Sequence, residues 1–109
     1  MSSPKAALKA IAQPRREAIL RLVWDCERPA GEIAACFDDV SHAAISQHLR
    51  VLKEADLVTE RRDGRRRLYA ANPTTVAGIR RHLESFWGDA LERLRQAVED
   101  DQREEEHRE

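Results

Sequence analysis

The chain has 109 residues, of which 41% are hydrophobic and 36% charged, and its formal net charge at pH 7 is −1. This length favours a single domain, predicted over residues 1–101, and the composition is typical of a polar globular protein. We find no signal peptide and no apolar run near the roughly 18 residues of a membrane span, which favours a cytoplasmic protein. Its 2 cysteines are too few for the disulfide framework of a small secreted domain.

The first 40 residues predict three short helices separated by breaks. A first helix with Leu8 and Ile11 on one side is followed by a second from Pro14 to Glu27 and a third over residues 32–37. The second helix has one apolar stripe, formed by Ile19, Leu22, Val23 and Cys26. A cysteine on such a stripe is expected to be buried and to behave as a small hydrophobic residue.

The stretch "SHAAISQHLRVLKEADLV", residues 41–58, predicts a fourth helix with two different faces. Ser41 suits the N-cap position, and an apolar stripe follows it at helical spacing. The stripe consists of Ile45, Leu49 and Leu52, and the opposite face carries Ser46, Gln47, Arg50 and Lys53. Asp56 stands where such a helix commonly ends in glycine, and aspartate tolerates the left-handed conformation needed there.

A basic hairpin is predicted after this helix. The run "VTERRDGRRRLYAA" contains two extended segments around Asp63-Gly64, a strong signal for a two-residue turn. Five arginines lie between positions 61 and 67, so the positive charge of the chain is concentrated here although the total charge is nearly neutral. The sequence therefore predicts a β-ribbon with an arginine-rich tip.

Asn72-Pro73 opens a long final helix that is predicted to run to about Glu99. Its apolar stripe comprises Val76, Ile79, Leu83, Phe86, Trp87, Ala90, Leu91, Leu94 and Val98. A helix of this length spans on the order of 40 Å, so the stripe extends beyond the core that one small domain provides. Residues 102–109 are polar and mostly charged, and we expect them to form a disordered tail.

These elements predict a mainly α fold with a small antiparallel β-hairpin, the plan of a winged helix-turn-helix with five helices. One α-helix fits the major groove of B-DNA, where Gln, Ser and Arg can pair with base edges. A ribbon with arginines at its tip can lie on the DNA backbone or enter the adjacent minor groove. The polar face of residues 41–53 is therefore a candidate for DNA contact.

The chain resembles the ArsR/SmtB family of bacterial repressors. The resemblance rests on "AIAQPRREAIL", "GEIAACF", "VSHAAISQHLRVLKEADLV" and "RRDGRRRLYAANP", followed by the final helix. It implies a homodimer joined by the first and last helices, a recognition helix over residues 41–50 and a wing over residues 62–67. It also implies repression by promoter occupancy until an effector weakens DNA binding, although the sequence identifies no effector small molecule.

The residues assigned to each surface follow from these positions. For double-stranded DNA they are Ser41, His42, Ala43, Ser46, Gln47, His48, Arg50, Arg62, Arg65, Arg66 and Arg67. For the dimer interface they are Leu8, Ile11, Ile79, Leu83, Phe86, Trp87, Ala90, Leu91 and Leu94.

No metal or other cofactor is predicted. Metal-sensing members of the resembled family carry a cysteine pair near the third helix, whereas Pro29-Ala30-Gly31 offers no ligand there. Other members hold zinc between final helices through an Asp-x-His and a downstream His-x-x-Glu, but His82 stands alone on that helix and His107 lies in the tail. A tetrahedral zinc site needs four converging ligands, and the sequence supplies no such set.

Several residues have two interpretations. Gln47 and Arg50 can read bases or belong to an ordinary solvated face, and the arginine cluster can contact DNA or discourage strand pairing. His48 can contact a phosphate or pack at the core edge. Trp87 can pack across a dimer or line an effector pocket, and the cysteines serve as a redox switch only if one is exposed.

The leading hypothesis for function is a homodimeric, sequence-specific DNA-binding transcriptional regulator, acting as a repressor. A winged-helix module that binds a protein and not DNA is the alternative. The four histidines, two cysteines and scattered carboxylates form no catalytic triad, phosphate loop or metal set, so no enzymatic activity is predicted.

Overall fold

The computed structural model describes residues 4–107, with side chains through residue 105. Five α-helices and three β-strands lie within these residues, which confirms the predicted winged helix-turn-helix. They are α1 (Pro4–Ile11), α2 (Pro14–Leu22), β1 (Arg28–Pro29), α3 (Ala30–Ala35), α4 (His42–Glu54), β2 (Val58–Asp63), β3 (Arg66–Ala71) and α5 (Pro73–His107). The chain falls into two compact units that divide within α5, one ending at Ile79 and the other beginning at Arg80.

The core of the first unit lies around the helix-turn-helix, which consists of α3 and α4. The stripe that the sequence predicts on α4 is fully buried, and it packs among apolar residues of the neighbouring elements. The fully buried large side chains are Ile19, Val23, Ile33, Ile45, Leu49, Leu52 and Leu57. Each such side chain contributes roughly 1.5–3 kcal/mol relative to exposure, so burial of one stripe fixes which face of α4 points outward.

The sheet has three strands in the order β1-β3-β2, where the sequence predicted a two-stranded hairpin. Strand β1 pairs antiparallel with β3 through Arg28 opposite Tyr69 and Pro29 opposite Leu68. Two residues give no alternating pattern, and proline is tolerated at a sheet edge, so local sequence carries no signal for this strand. The added strand connects the wing to the start of α3.

Helix α2 ends at Leu22, five residues before the predicted Glu27. The chain turns away because the carbonyl of Val23 accepts a hydrogen bond from the backbone N–H of Ala71 at 3.0 Å. The Nε of Arg28 also donates to the carbonyl of Leu22 at 2.7 Å. The prediction that Cys26 lies on a buried helical stripe is therefore wrong, since this residue follows the helix and its side chain is exposed.

The second unit consists of the part of α5 that starts at Arg80. This helix continues to His107, beyond the predicted end near Glu99, so residues 102–107 are helical and only 108–109 of the predicted tail lie outside the described residues. Residues 99–107 contain neither Gly nor Pro and include four Glu and one Arg, which are good helix formers. Ion pairs spaced along the helix, such as Arg95 with Glu92 and Glu99, add support.

Candidate nucleic-acid interface

The outward side of α4 forms a polar surface that we call the reading face, made of His42, Ala43, Ser46, Gln47 and Arg50. All five side chains are exposed, as is Ser41 at the N-cap. They fall at positions 42–43, 46–47 and 50, a spacing that repeats once per helical turn, so they lie along one side of the helix, opposite the buried stripe. The structure thus brings the predicted helical DNA-binding residues together on one accessible surface, apart from His48.

Both ends of α4 are held by local interactions that the sequence predicted. The Oγ of Ser41 accepts a hydrogen bond from the backbone N–H of Ala44 at 3.1 Å, which confirms the N-cap. After the helix, Asp56 adopts a φ of 58°, the left-handed conformation expected there. These caps set the start and end of the reading face.

His48 lies at the edge of the reading face and is only half-exposed. Partial burial lowers the pKa of its imidazole, and the positive charges of Arg16 and Arg15 lower it further. A neutral imidazole is a weaker phosphate ligand than a charged one, so this environment favours the interpretation of His48 as a residue of the core edge.

The turn before α4 is tied to α2 by an ion pair that sequence reasoning missed. The Nη1 of Arg15 donates to Oδ1 of Asp39 at 2.8 Å, while its Nη2 donates to Oδ2, a bidentate arrangement. The same guanidinium lies 5.2 Å from the ring centroid of Phe37, within cation–π range. The hydrogen bonds from Arg15 lower the pKa of the Asp39 carboxyl. No local signal links residues 24 positions apart, so only the fold reveals this contact.

The wing is the hairpin of β2 and β3, and its tip is Gly64-Arg65. Asp63 pairs with Arg66, so the two-residue loop lies one position later than the Asp63-Gly64 that the sequence predicted. Gly64 has a φ of +63°. Arg65, the second residue of the loop, does not have a positive φ, since Asp56 is the non-glycine residue with that conformation in the described part of the chain. This combination matches a type II′ turn, which places glycine at its first central position.

The wing arginines differ in their partners. Arg61 donates two hydrogen bonds to the carboxylate of Glu27, at 2.6 and 3.1 Å, which lower the pKa of that carboxyl. Arg66 lies 3.1 Å from a carboxylate oxygen of Asp63. Arg62 and Arg65 are exposed and form no ion pair with any residue in the described part of the chain. These last two are therefore the wing cations most available to an external anion.

Strand register places Arg62 directly opposite Arg67 in the wing. Like charges in directly opposite positions destabilise a hairpin. The carboxylate of Glu60, 3.8 Å from Arg67, partly offsets this repulsion.

A carboxylate connects the wing to α4 through what we call the Glu60 cluster: Lys53, Glu60, Arg67 and Tyr69. The Nζ of Lys53 lies 3.0 Å from Oε2 of Glu60, and the Tyr69 hydroxyl donates to the same oxygen at 3.3 Å. The Nε of Arg67 lies 3.8 Å from Oε1. The hydrogen bond from Lys53 lowers the pKa of Glu60, while burial raises the pKa of Tyr69.

The second unit exposes a continuous apolar stripe on one side of α5. Trp87, Leu91, Leu94 and Val98 recur at helical spacing, and each side chain is at least 50% exposed. Phe86 is also exposed and meets Trp87 edge-on, with ring centroids 5.7 Å apart. A contiguous exposed apolar surface of this kind is typical of protein interaction sites.

The other predicted interface residues are less exposed. Leu8, Ile11, Leu83 and Ala90 are half-buried. Ile79 is only 8% exposed and belongs to the core of the first unit, so it leaves little surface for a second subunit.

Neither metal clusters nor membrane spans occur in the region that the structure describes. Within residues 4–105, no three His, Cys, Asp or Glu side chains converge as a metal site would require. No described helix combines the length and apolarity needed to cross a bilayer. Both Cys26 and Cys36 are exposed free thiols.

Comparison with known proteins gives consistent matches over most of the chain. A family model described as a helix-turn-helix domain matches residues 11–61. The chain is 40% identical to the HTH-type transcriptional regulator Rv2034 of Mycobacterium tuberculosis, over 89% of this chain and 90% of the relative. It is 38% identical to the transcriptional repressor SdpR of Bacillus subtilis, over 62% of this chain and 74% of that protein.

A solved structure shares both sequence and fold. It is a possible transcriptional regulator for arsenical resistance, which matches with a TM-score of 0.70 and 44% identity. The match covers 84% of this chain and 94% of that one. Together with the winged helix-turn-helix geometry, these likenesses identify a DNA-binding regulator of transcription. The chain belongs to the ArsR/SmtB family of winged helix-turn-helix transcriptional regulators.

Proposed function

We propose that the protein is a homodimeric repressor that binds an inverted-repeat operator. Residues 41–53 lie in the major groove, and the wing, residues 61–67, lies on the backbone or in the adjacent minor groove. Relatives named as transcriptional regulators and as a repressor support this proposal. A dimer bound across a promoter would exclude other proteins from it, and we expect no catalytic activity and a cytoplasmic location.

The observation that carries the proposal is the exposure of the reading face opposite a fully buried stripe on the same helix. Burial of Ile45, Leu49 and Leu52 leaves α4 no freedom to rotate, so Gln47 and Arg50 remain directed outward. Gln pairs with adenine and Arg with guanine in the major groove, each through two hydrogen bonds. The face therefore presents side chains that can discriminate bases.

The wing supports the same proposal through charge. Arg62 and Arg65 have no carboxylate partner among the described residues, and Arg62 faces Arg67 across the strands. Phosphate contacts position a protein on DNA and supply affinity without sequence preference. We assign this role to the wing arginines.

The exposed stripe of α5 supports a homodimer. Leu91 and Leu94 are each 61% exposed, and apolar side chains in a contiguous stripe gain free energy when a second copy covers them. Two recognition helices related by a two-fold axis would enter successive major grooves about 34 Å apart. The operator is then expected to be an inverted repeat with that spacing.

Selection of genomic DNA fragments by the purified protein tests the proposed function. We expect enrichment of fragments that share an inverted repeat, with binding that weakens steeply as salt rises. Absence of any enriched sequence, together with a partner protein that co-purifies with the chain, would contradict the proposal and favour the protein-binding alternative.

A substitution on α5 tests the dimer separately. Leu94→Glu should convert the dimer to a monomer, because it places a charge in the proposed apolar interface, and light scattering at micromolar concentration measures the mass. Arg93→Glu changes a neighbouring exposed residue and is expected to leave the dimer intact. A monomeric parent protein would contradict the assignment.

A further inference from the structure

Glu60 is an acidic residue at the junction of the two elements proposed to meet DNA. Its side chain is only 16% exposed, and it lies on β2 beside the end of α4. Its carboxylate contacts Lys53 of α4 and, on β3, Arg67 and Tyr69. The Glu60 cluster therefore joins the recognition helix to both strands of the wing.

The position of Glu60 is unfavourable for affinity to DNA. A carboxylate beside a polyanion repels it, and Glu60 occupies two cations, Lys53 and Arg67, that could otherwise contact phosphates. Its chemistry instead suits an internal link, since one carboxylate can accept from an ammonium, a guanidinium and a hydroxyl at once. Strand register strengthens this interpretation, because Glu60 lies directly opposite Tyr69.

We propose that Glu60 is a positioning residue that fixes the wing relative to α4 and thereby sets the sequence specificity of the protein. The inference rests on the proposed function and deepens it. Glu60 acts through Lys53 and Arg67 and need not contact DNA itself.

The physical reason is geometric. The reading face discriminates bases only when the helix is held at one depth and angle in the groove, and the phosphate contacts of the wing provide that register. A wing that moves freely still attracts any DNA through its charge, but it no longer holds the helix in one register. Loss of the link should lower the ratio of specific to non-specific DNA affinity. The affinity for DNA of unrelated sequence should stay the same or rise.

The variant Glu60→Gln tests the proposal because it preserves shape and removes the charge. Fluorescence polarisation measures affinity for the best-selected genomic fragment and for a scrambled duplex of the same composition. We expect affinity for the scrambled duplex to rise up to roughly fivefold, as for the loss of one repulsive charge at 0.15 M salt. The ratio of specific to scrambled affinity should fall about tenfold, within the range that one lost base contact produces.

A matched control is Glu54→Gln. Glu54 is an exposed carboxylate on the same helix and has no ion-pair partner among residues 4–105. Its neutralisation should raise both affinities equally and leave the ratio unchanged. An unchanged ratio in Glu60→Gln as well would overturn the proposal, because the carboxylate would then act only as a repulsive charge.

A second measurement uses the free protein. Lys53→Met and Glu60→Gln, alone and combined, are compared by urea unfolding, and the shifts in midpoint should be non-additive because the two residues share one contact. Additive shifts would overturn the inference even if the ratio falls, since Glu60 would not act through Lys53. Parent protein that binds both duplexes equally would overturn the proposed function itself, and with it this inference.

Discussion

The reading face and the wing present different chemistry although they belong to neighbouring elements, α4 and the β2–β3 hairpin. The reading face combines neutral hydrogen-bonding groups, such as Ser46 and Gln47, with Arg50, a cation that forms no ion pair with the residues that the structure describes. The wing is dominated by arginines, and three of them are engaged by carboxylates of the same chain. Neutral side chains that form directional hydrogen bonds suit base discrimination. Arginines whose charge is partly neutralised by carboxylates suit contact with phosphates.

The reading face and the wing are also held in place by different contacts. Helix α4 is fixed by buried apolar side chains and by the bidentate contact of Arg15 with Asp39 in the preceding turn. The base of the wing is also anchored by buried side chains such as Leu68, whereas its outer part is held by polar contacts such as Arg61 with Glu27. Exposed ion pairs are weak and screened by salt, so the tip of the wing should be more mobile than α4.

The largest expected effect concerns the reading face. Gln47→Ala removes a donor and acceptor pair and should cost about 1–3 kcal/mol of discrimination, roughly fivefold to 150-fold in affinity for the preferred operator. Binding to scrambled DNA should hardly change. Repetition of the fragment selection with the variant should show relaxed preference at one base pair of each half-site. Gln102→Ala, an exposed glutamine on α5, is the control, and an identical preference in both variants would remove Gln47 from the reading face.

A smaller and uniform effect is expected in the wing. Arg65→Ala should weaken binding to every sequence by roughly fivefold at 0.15 M salt and reduce the slope of log K against log salt by about 0.9. Arg61→Ala is the matched comparison, because Glu27 already engages that guanidinium. Titrations at several salt concentrations measure both slopes. Equal losses in the two variants would show that intramolecular pairing does not decide which arginine contacts DNA.

The smallest effect distinguishes the inner edge of α4 from its outer face. The folded protein lowers the pKa of His48, so the unfolded chain binds the proton more readily as pH falls below about 6.5. Stability contributed by neutral His48 is therefore present at higher pH and lost as pH falls through the lowered pKa. The fall in urea midpoint between pH 7.5 and pH 5.5 should therefore be smaller in His48→Gln than in the parent. An equal fall in the two proteins would place His48 on the solvated face.

Much of the helix-turn-helix could be predicted from sequence because its signals are local. The spacing of Ile45, Leu49 and Leu52 predicted the buried stripe, and Ser41 predicted the cap. Asp56 predicted the left-handed end of α4. Each signal depends on residues within a turn or two of one another, so it survives without knowledge of the rest of the chain.

The sequence by itself therefore determined the order of the helices and of the basic hairpin, and the outward face of α4, because periodicity and capping act over a few residues. Only the tertiary structure decided the end of α2, the strand β1 and the partners of the wing arginines. Those features depend on contacts such as Arg61 with Glu27 and Ala71 with Val23, which join residues far apart in the chain. The geometry of the fold brings such residues together, and no local pattern encodes their meeting.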